Sequence, residues 1–227
     1  THSTLTSVRV GGNAIINHTT ASAASGSLDI TQNANYDTDG SWEYIVTDEV
    51  SRYQQSGGEH IFSAAASGTA GNDVTWVEAL RIKADGKVGI GISSPSFQLD
   101  LQNGAGDGIR VAGYSTGAGN DARLYLARSN SGTLGTQTAV DNSDAIGKVI
   151  FQGSNGSSFV TGASVSALAR ETWSGTQYGT EMSFKVTKTG ETSETEALVI
   201  NKNAQVLMNA GNVGIGTTAP ETALHVN

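Results

Sequence analysis

The sequence predicts an all-β fold made of two tandem modules, residues 1–102 and 103–227, and three observations support this prediction. Apolar and polar residues alternate in short runs that mostly end at Gly, Asn, Asp or Ser, the pattern of half-buried strands joined by tight turns. Similar segments recur in the two halves of the chain. No long amphipathic helix is visible.

Ten segments carry the strand alternation most clearly. They are residues 7–10, 27–31, 42–46, 76–83, 109–111, 123–127, 148–152, 163–169, 181–186 and 197–201. Two glycine-containing sequences, at 84–86 and 209–211, predict hairpin turns. Residues 50–55 alternate less regularly and favour short helical turns.

The repeat is defined by matched residues at constant spacing. Val88 and Val213, Pro95 and Pro220, and Leu99 and Leu224 each lie 125 positions apart. Upstream, residues 78–82 match residues 196–200 at a spacing of 118. The second copy therefore contains seven additional residues, around positions 205–209.

Composition excludes several classes of function. The net charge is −8 and the basic residues do not cluster, so the chain lacks the basic surface that nucleic-acid binding requires. No apolar run is long enough to insert into a membrane, and cysteine is absent. Only 37% of residues are hydrophobic, which is sparse for two separate cores. We therefore expect other copies of the chain to complete the apolar burial.

Two glycine-alternating segments need separate explanation. Residues 214–219 match G-x-G-x-x-A, the spelling of a dinucleotide loop, but that loop must open a helix. The matching upstream copy is instead followed by strand-like alternation at 97–101, so no cofactor is predicted. The preferred interpretation is close packing between chains at Gly89, Gly91, Gly214 and Gly216, and an intrachain bend is the alternative.

Catalytic and metal chemistry have weak support. The acidic stretch 37–43 could supply paired carboxylates for glycan cleavage, but a solvated turn is the preferred interpretation. The histidines are scattered without ligand spacing, and no nucleophile motif occurs. We expect no catalytic residue, no metal site and no enzymatic activity.

Exposed aromatic residues are the candidate receptor contacts. Trp173 and Tyr178 lie in the polar loop 171–179, and Trp42 and Tyr44 adjoin the acidic stretch. Aromatic side chains on polar loops suit carbohydrate or protein recognition. For Trp173 and Tyr178 the competing interpretation is burial between subunits, which is the more common environment of large aromatic side chains.

The C-terminal string GNVGIGTTAPETALHV, preceded by EALVINKNAQ, resembles a repeat of bacteriophage tail fibres and related appendages that often precedes an intramolecular chaperone domain. Residues 123–169 are also similar to modules of that family. The resemblance covers 103–227 and, more weakly, 28–102. It implies an elongated, intertwined homotrimer in the virion tail, outside the cell, that contacts other tail proteins and a host surface glycan or protein. A bacterial surface adhesin or filament subunit and a polysaccharide-degrading tailspike segment are the alternatives.

Overall fold

The computed structural model describes residues 5–19, 26–102, 104, 108–114, 116 and 121–226. These residues form strands, turns, bends and irregular segments, and no helix is found among them. The chain divides into two compact units, Thr1–Ile109 and Arg110–Asn227, and each is described by itself.

The first unit is built on an eight-stranded sheet with the order β1-β2-β3-β6-β7-β8-β9-β10. Its neighbouring strands are antiparallel except β9 and β10, which are parallel. A separate short hairpin joins β4 to β5. The strands are β1 (Leu5–Val10), β2 (Ala14–Thr19), β3 (Ser27–Gln32), β4 (Ala34–Tyr36), β5 (Trp42–Tyr44), β6 (Asp48–Ser56), β7 (Glu59–Gly68), β8 (Val77–Ile82), β9 (Val88–Ile90) and β10 (Leu99–Leu101).

The second unit contains a five-stranded antiparallel sheet with the order β11-β12-β13-β14-β15. A two-stranded parallel sheet joins β16 to β17. The strands are β11 (Ala145–Ser154), β12 (Phe159–Ala169), β13 (Thr180–Thr187), β14 (Glu194–Ile200), β15 (Val206–Met208), β16 (Val213–Ile215) and β17 (Leu224–Val226).

Strand register confirms the repeat alignment. Phe62 of β7 lies opposite Leu80 of β8, and Phe184 of β13 lies opposite Leu198 of β14. In both pairs the register shifts immediately after the phenylalanine. Because the irregularity recurs at the matched residue, β7–β8 and β13–β14 are copies of one hairpin.

The seven additional residues of the second copy change the order of the strands. In the first unit, β9 pairs with β8 on one edge and with β10 on the other. In the second unit, β15 takes the place beside β14, and the Val-Gly-Ile strand β16 pairs with β17 instead. The two kinds of pairing that β9 makes in the first unit are therefore made by two different strands, β15 and β16, in the second unit.

Eight of the ten predicted strands are confirmed at least in part, and two are not. Residues 109–111 and 123–127 belong to no strand and form no ladder with any described residue. Residues 50–55, expected to be helical, belong to the paired strand β6, so that prediction was wrong. The turn at 84–86 is confirmed, but 209–211 does not close a hairpin. The second hairpin turns at 202–204 instead, where Ala204 takes a φ of 59°.

The largest apolar cluster of the first unit is small. Ala34, Tyr44 and Val50 are buried together, and Trp42 and Trp76 pack against them. Asn33, fully buried with a φ of 61°, ties this region together. Its side-chain amide donates to the carbonyl oxygens of residues 46 and 49, and its side-chain oxygen accepts the N–H of residue 46.

Within the described part of the chain, no helix long and apolar enough to cross a bilayer is present.

Candidate functional site

An apolar row crosses one face of the eight-stranded sheet. Each of its members lies directly opposite the next across neighbouring strands, so their side chains share a face. The row consists of Val8, Ile16, Ile30, Tyr53, Phe62, Leu80, Ile90 and Leu101. Phe62, near the middle, is 41% exposed. Among the described side chains, paired positions on this face carry no Asp, Glu, Lys or Arg.

The opposite face of the same sheet carries the charges. Its charged members are Arg9, Asp29, Arg52, Glu59, Glu78, Arg81 and Asp100. Asp29 is only 1% exposed and lies 3.9 Å from the guanidinium of Arg52. The ammonium of Lys83, 2.9 Å from Glu59, and the guanidinium of Arg81 hold the pKa of Glu59 below its usual range. The chain thus buries charge on one face and leaves apolar side chains exposed on the other.

The five-stranded sheet of the second unit shows the same polarity. One face carries Val149, Phe151, Val165, Met182, Phe184, Val186, Leu198, Ile200, Val206 and Met208, most of them substantially exposed. The other face carries the polar residues Lys148, Ser164, Ser166, Ser183, Lys185 and Glu196, whose serines are buried, together with the aliphatic Ile150, Val199 and Leu207. We name these two uncharged surfaces the apolar sheet faces. Both are candidates for burial against another molecule, because exposed apolar surfaces of this kind mark interaction sites.

The repeated glycines lie at matched positions of two strand-turn-strand segments. Val88 lies opposite Leu99 in parallel register, and Val213 lies opposite Leu224 in the same way, which confirms the common strand-turn-strand path. Gly91 has a φ of 71° and Gly216 one of 75°, values that favour glycine.

Close backbone approach inside the chain explains the remaining requirement for glycine. A Cβ atom on Gly91 would lie 2.1 Å from the carbonyl oxygen of Gln102. Gly89 and Gly214 are similarly crowded by the carbonyl oxygens three residues ahead, at 2.3 and 2.5 Å. The intrachain bend, the less favoured alternative, accounts for these glycines, while packing between chains stays a prediction.

A surface groove brings Trp173 and Tyr178 together. Their rings meet edge to face with centroids 5.6 Å apart, and Tyr178 is 59% exposed. The backbone N–H of Trp173 donates to the carbonyl oxygen of buried Val140, at 2.9 Å, which fixes the loop. The groove encloses about 460 Å³ and is also lined by Arg128 and the polar side chains of 137–138. One aromatic edge and several hydrogen-bonding groups therefore converge at an open surface.

The first unit's aromatic candidates are placed differently. Tyr44 is 7% exposed, and its hydroxyl donates to the carbonyl oxygen of Ala66 at 2.7 Å. It is a core residue and presents no surface to a receptor. Trp42 is half-buried, packs edge to face on Trp76, and lies 5.7 Å from the guanidinium of Arg52. Packing inside the chain accounts for both side chains.

The acidic stretch forms a hydrogen-bonded turn. One carboxylate oxygen of Asp37 accepts the backbone N–H groups of Asp39, Gly40 and Ser41 at 3.0 to 3.2 Å. The hydrogen bond with Asp39 and these N–H groups lower the pKa of Asp37. Across the turn, partial desolvation and the nearby carboxylates raise the pKa of Glu43. Among the described residues, no group of three or more acidic or histidine side chains is arranged to hold a metal ion.

Sequence reasoning missed the apolar sheet faces, although a signal was present. In β3 and β13 the charged and buried polar residues share one parity and the aromatic or aliphatic residues share the other. That alternation was interpreted as an ordinary half-buried strand with its apolar side inward. Only the exposed fractions reveal that the apolar side points outward.

Comparison with known proteins gives matches among solved structures. No family model and no curated protein matches the chain. Its fold is similar to the carboxy-terminal domain of the bacteriophage T5 L-shaped tail fibre, with a TM-score of 0.55, 14% identity, and coverage of 96% of this chain and 83% of that one. A second structure, of the same domain with its intramolecular chaperone domain, matches with a TM-score of 0.55 and 15% identity. That match covers 98% of this chain, which spans 58% of the matched one. The chain therefore has an all-β fold of the kind found in a phage tail-fibre carboxy-terminal domain.

Proposed function

We propose that this chain is a structural segment of a homotrimeric bacteriophage tail fibre, located in the virion tail outside the cell. The observation that carries the proposal is the pair of uncharged apolar sheet faces. A soluble chain that leaves such faces uncovered gains stability when other copies bury them. The similarity of the fold to a tail-fibre domain supports the fibre context.

The partner at these faces is proposed to be the chain itself. Both units carry the same polarity, so one mode of association can serve both. Phe62 and Phe184 are at matched positions in the two faces. Because the faces lack charge, they are suited to apolar contact and poorly suited to a charged partner. Three copies is the number that the resemblance to tail fibres implies.

We further propose that the Trp173–Tyr178 groove contacts the host surface. Aromatic rings offer stacking area to sugars or protein side chains, and the adjoining hydroxyl and amide groups offer hydrogen bonds. Tyr178 is the most accessible of the candidate aromatics predicted from the sequence. The proposal assigns presentation and binding to the chain and no catalysis.

Molecular mass in solution tests the structural proposal. Light scattering at micromolar concentration should report about three times the chain mass of 23.3 kDa. A well-folded monomer would contradict the proposal. Detecting the chain in purified phage particles, rather than on a bacterial surface, separates a tail fibre from an adhesin.

A further inference from the structure

A hollow interrupts the apolar sheet face of the first unit. It encloses about 400 Å³ and lies over β3, β6 and β7, bordered by the exposed ring of Phe62. Its floor is main chain, because Thr31, Arg52 and Ser63 line it while their side chains lie on the other face of the sheet. The side chains that surround the hollow are uncharged, and they are Ile30, Gln32, Ser51, Tyr53, Phe62, Ala64 and Ala79.

The hollow arises where a row of large side chains adjoins a row with short ones. Ser51 lies directly opposite Ala64, and Gln32 lies opposite Ser51 on its other side. The adjoining row contains Tyr53 and Phe62, whose rings stack with their centroids 4.9 Å apart. The two rings therefore stand above the short side chains beside them, and this difference in height forms one wall of the hollow.

The second unit carries bulkier side chains at the matched positions. Two residues after the matched phenylalanines, β7 has Ala64 where β13 has Val186. Two strands away in the same row, β3 has Gln32 where β11 has Phe151. The smaller side chains of the first unit thus open a space that the repeat does not require.

We propose that this hollow receives the Phe62 ring of another copy of the chain, in an inference that rests on the proposed homotrimer. An uncharged hollow favours an apolar occupant, and Phe62 is apolar and exposed. Because Phe62 also borders the hollow, one contact between neighbouring faces brings the ring of one copy to the hollow of the next. Ring and hollow are different parts of one surface, so the contact is heterologous and closes into a cycle of copies around a rotation axis.

Exchange of the large and the small residue tests this packing. Phe62→Ala leaves the neighbour's hollow empty, and Ala64→Phe fills the hollow from within its own chain. Each change should raise the concentration at which trimers dissociate by about tenfold or more, the first through a cavity and the second through overpacking. The full chain carrying both changes again has one ring for each hollow and should recover most of the lost affinity. Sedimentation equilibrium measures the dissociation.

The chain offers controls for the exchange and for the fold. Phe184→Ala combined with Val186→Phe makes the same exchange in the second unit and should not recover the affinity that Phe184→Ala loses. Ala84→Phe places a ring at an exposed turn and should leave dissociation unchanged. Ala64 is itself exposed in the single chain, so Ala64→Phe should keep the circular dichroism spectrum of the wild type.

The outcomes separate this inference from the proposed function. Monomers of the wild type would overturn both. Wild-type trimers, together with unchanged dissociation of Ala64→Phe, would overturn the occupied hollow and leave the trimer intact. Losses that add in the double variant would also overturn it, because ring and hollow would then not meet across copies. Equal recovery by the exchange in the second unit would contradict it as well, since recovery would then reflect total apolar bulk.

Discussion

A Cβ atom on Gly214 would lie 2.5 Å from the carbonyl oxygen of Thr217. The first repeat contains the same relationship, at 2.3 Å, between Gly89 and the carbonyl oxygen of Ile92. Real Cβ atoms do not approach a backbone oxygen so closely, so any larger residue must displace the turn. The alternation of Val, Gly and Ile is therefore a requirement of the strand-turn-strand unit itself.

Alanine at either glycine should destabilise the fold. We expect Gly89→Ala and Gly214→Ala each to lower the free energy of unfolding by about 1–3 kcal/mol, the strain that added methyl groups cause in crowded sites. Thermal melting measures the change. Gly153→Ala is the control, because Gly153 lies in β11 with open space at its Cβ position. Equal melting temperatures for all three variants would contradict the turn explanation.

Acidification should lower the stability of the second unit through protonation of Glu196. The hydroxyl of Ser183, at 2.7 Å, and the amide of Asn209 donate to this carboxylate and lower its pKa. A carboxylate with a lowered pKa stabilises the fold above the ordinary glutamate pKa of about 4.3, and that stabilisation disappears as pH falls through the folded-state pKa. We expect Glu196→Gln to melt earlier at pH 7 and to lose less stability than the wild type on acidification.

The matched control for this prediction is Glu191→Gln, at an exposed turn position. It should leave both the melting temperature at pH 7 and the acid dependence unchanged. Parallel acid curves for the wild type and Glu196→Gln would show that Glu196 does not contribute in this way.

The strands of the fold were largely predictable, because their alternation is encoded locally. β12, β13 and β14 were all located from sequence, as was the hairpin at 84–86. β7 was missed since its second half is Ser-Ala-Ala-Ala-Ser-Gly, and alanine and glycine have low strand propensity. β6 was misassigned because it carries few apolar residues, and its conformation is fixed by neighbours on both sides.

The site was less predictable, because burial is a property of the assembled sheet. Alternation assigns residues to two faces, but it cannot say which face the rest of the chain covers. Tyr44 and Tyr178 illustrate the difficulty, since both adjoin polar loops while one is buried and the other exposed. The turn at 202–204 was not predicted for a different reason. Ala204 occupies the position where the first unit has Gly86, so the sequence lacks the glycine that usually marks such a turn.

The Trp173–Tyr178 groove should bind host cells less tightly when the exposed ring of Tyr178 is removed. Tyr178→Ala removes an exposed ring held only by its neighbour and by the bond from its hydroxyl to the carbonyl oxygen of Gly175, at 3.1 Å. We expect weaker attachment to host cells with an unchanged melting temperature. Binding of labelled protein to the cells measures this effect.

Two further variants should be compared with Tyr178→Ala in the same attachment assay. Tyr114→Ala removes an exposed ring outside the groove and should leave attachment unchanged. Trp173→Ala should reduce both attachment and stability, because Trp173 is partly buried. Attachment of Tyr178→Ala at the wild-type level would contradict a role of the groove in contacting the host surface.

The apolar sheet faces are proposed to be buried between copies, and two adjacent residues of β11 test this burial. Phe151, 57% exposed, points to the apolar sheet face of the second unit, whereas Ile150, 49% exposed, lies opposite Ser164 on the other face. The two positions differ little in exposure or strand context. They therefore separate the effect of the face from that of the substitution.

The most direct measurement is the sedimentation mass of Phe151→Glu and Ile150→Glu beside the wild type. A carboxylate buried without a partner is costly, so Phe151→Glu should dissociate the trimer at concentrations where the other two proteins keep three times the mass of 23.3 kDa. Circular dichroism should show the same β-rich spectrum for all three. Trimers that survive in Phe151→Glu as well as in Ile150→Glu would contradict burial of this face between copies.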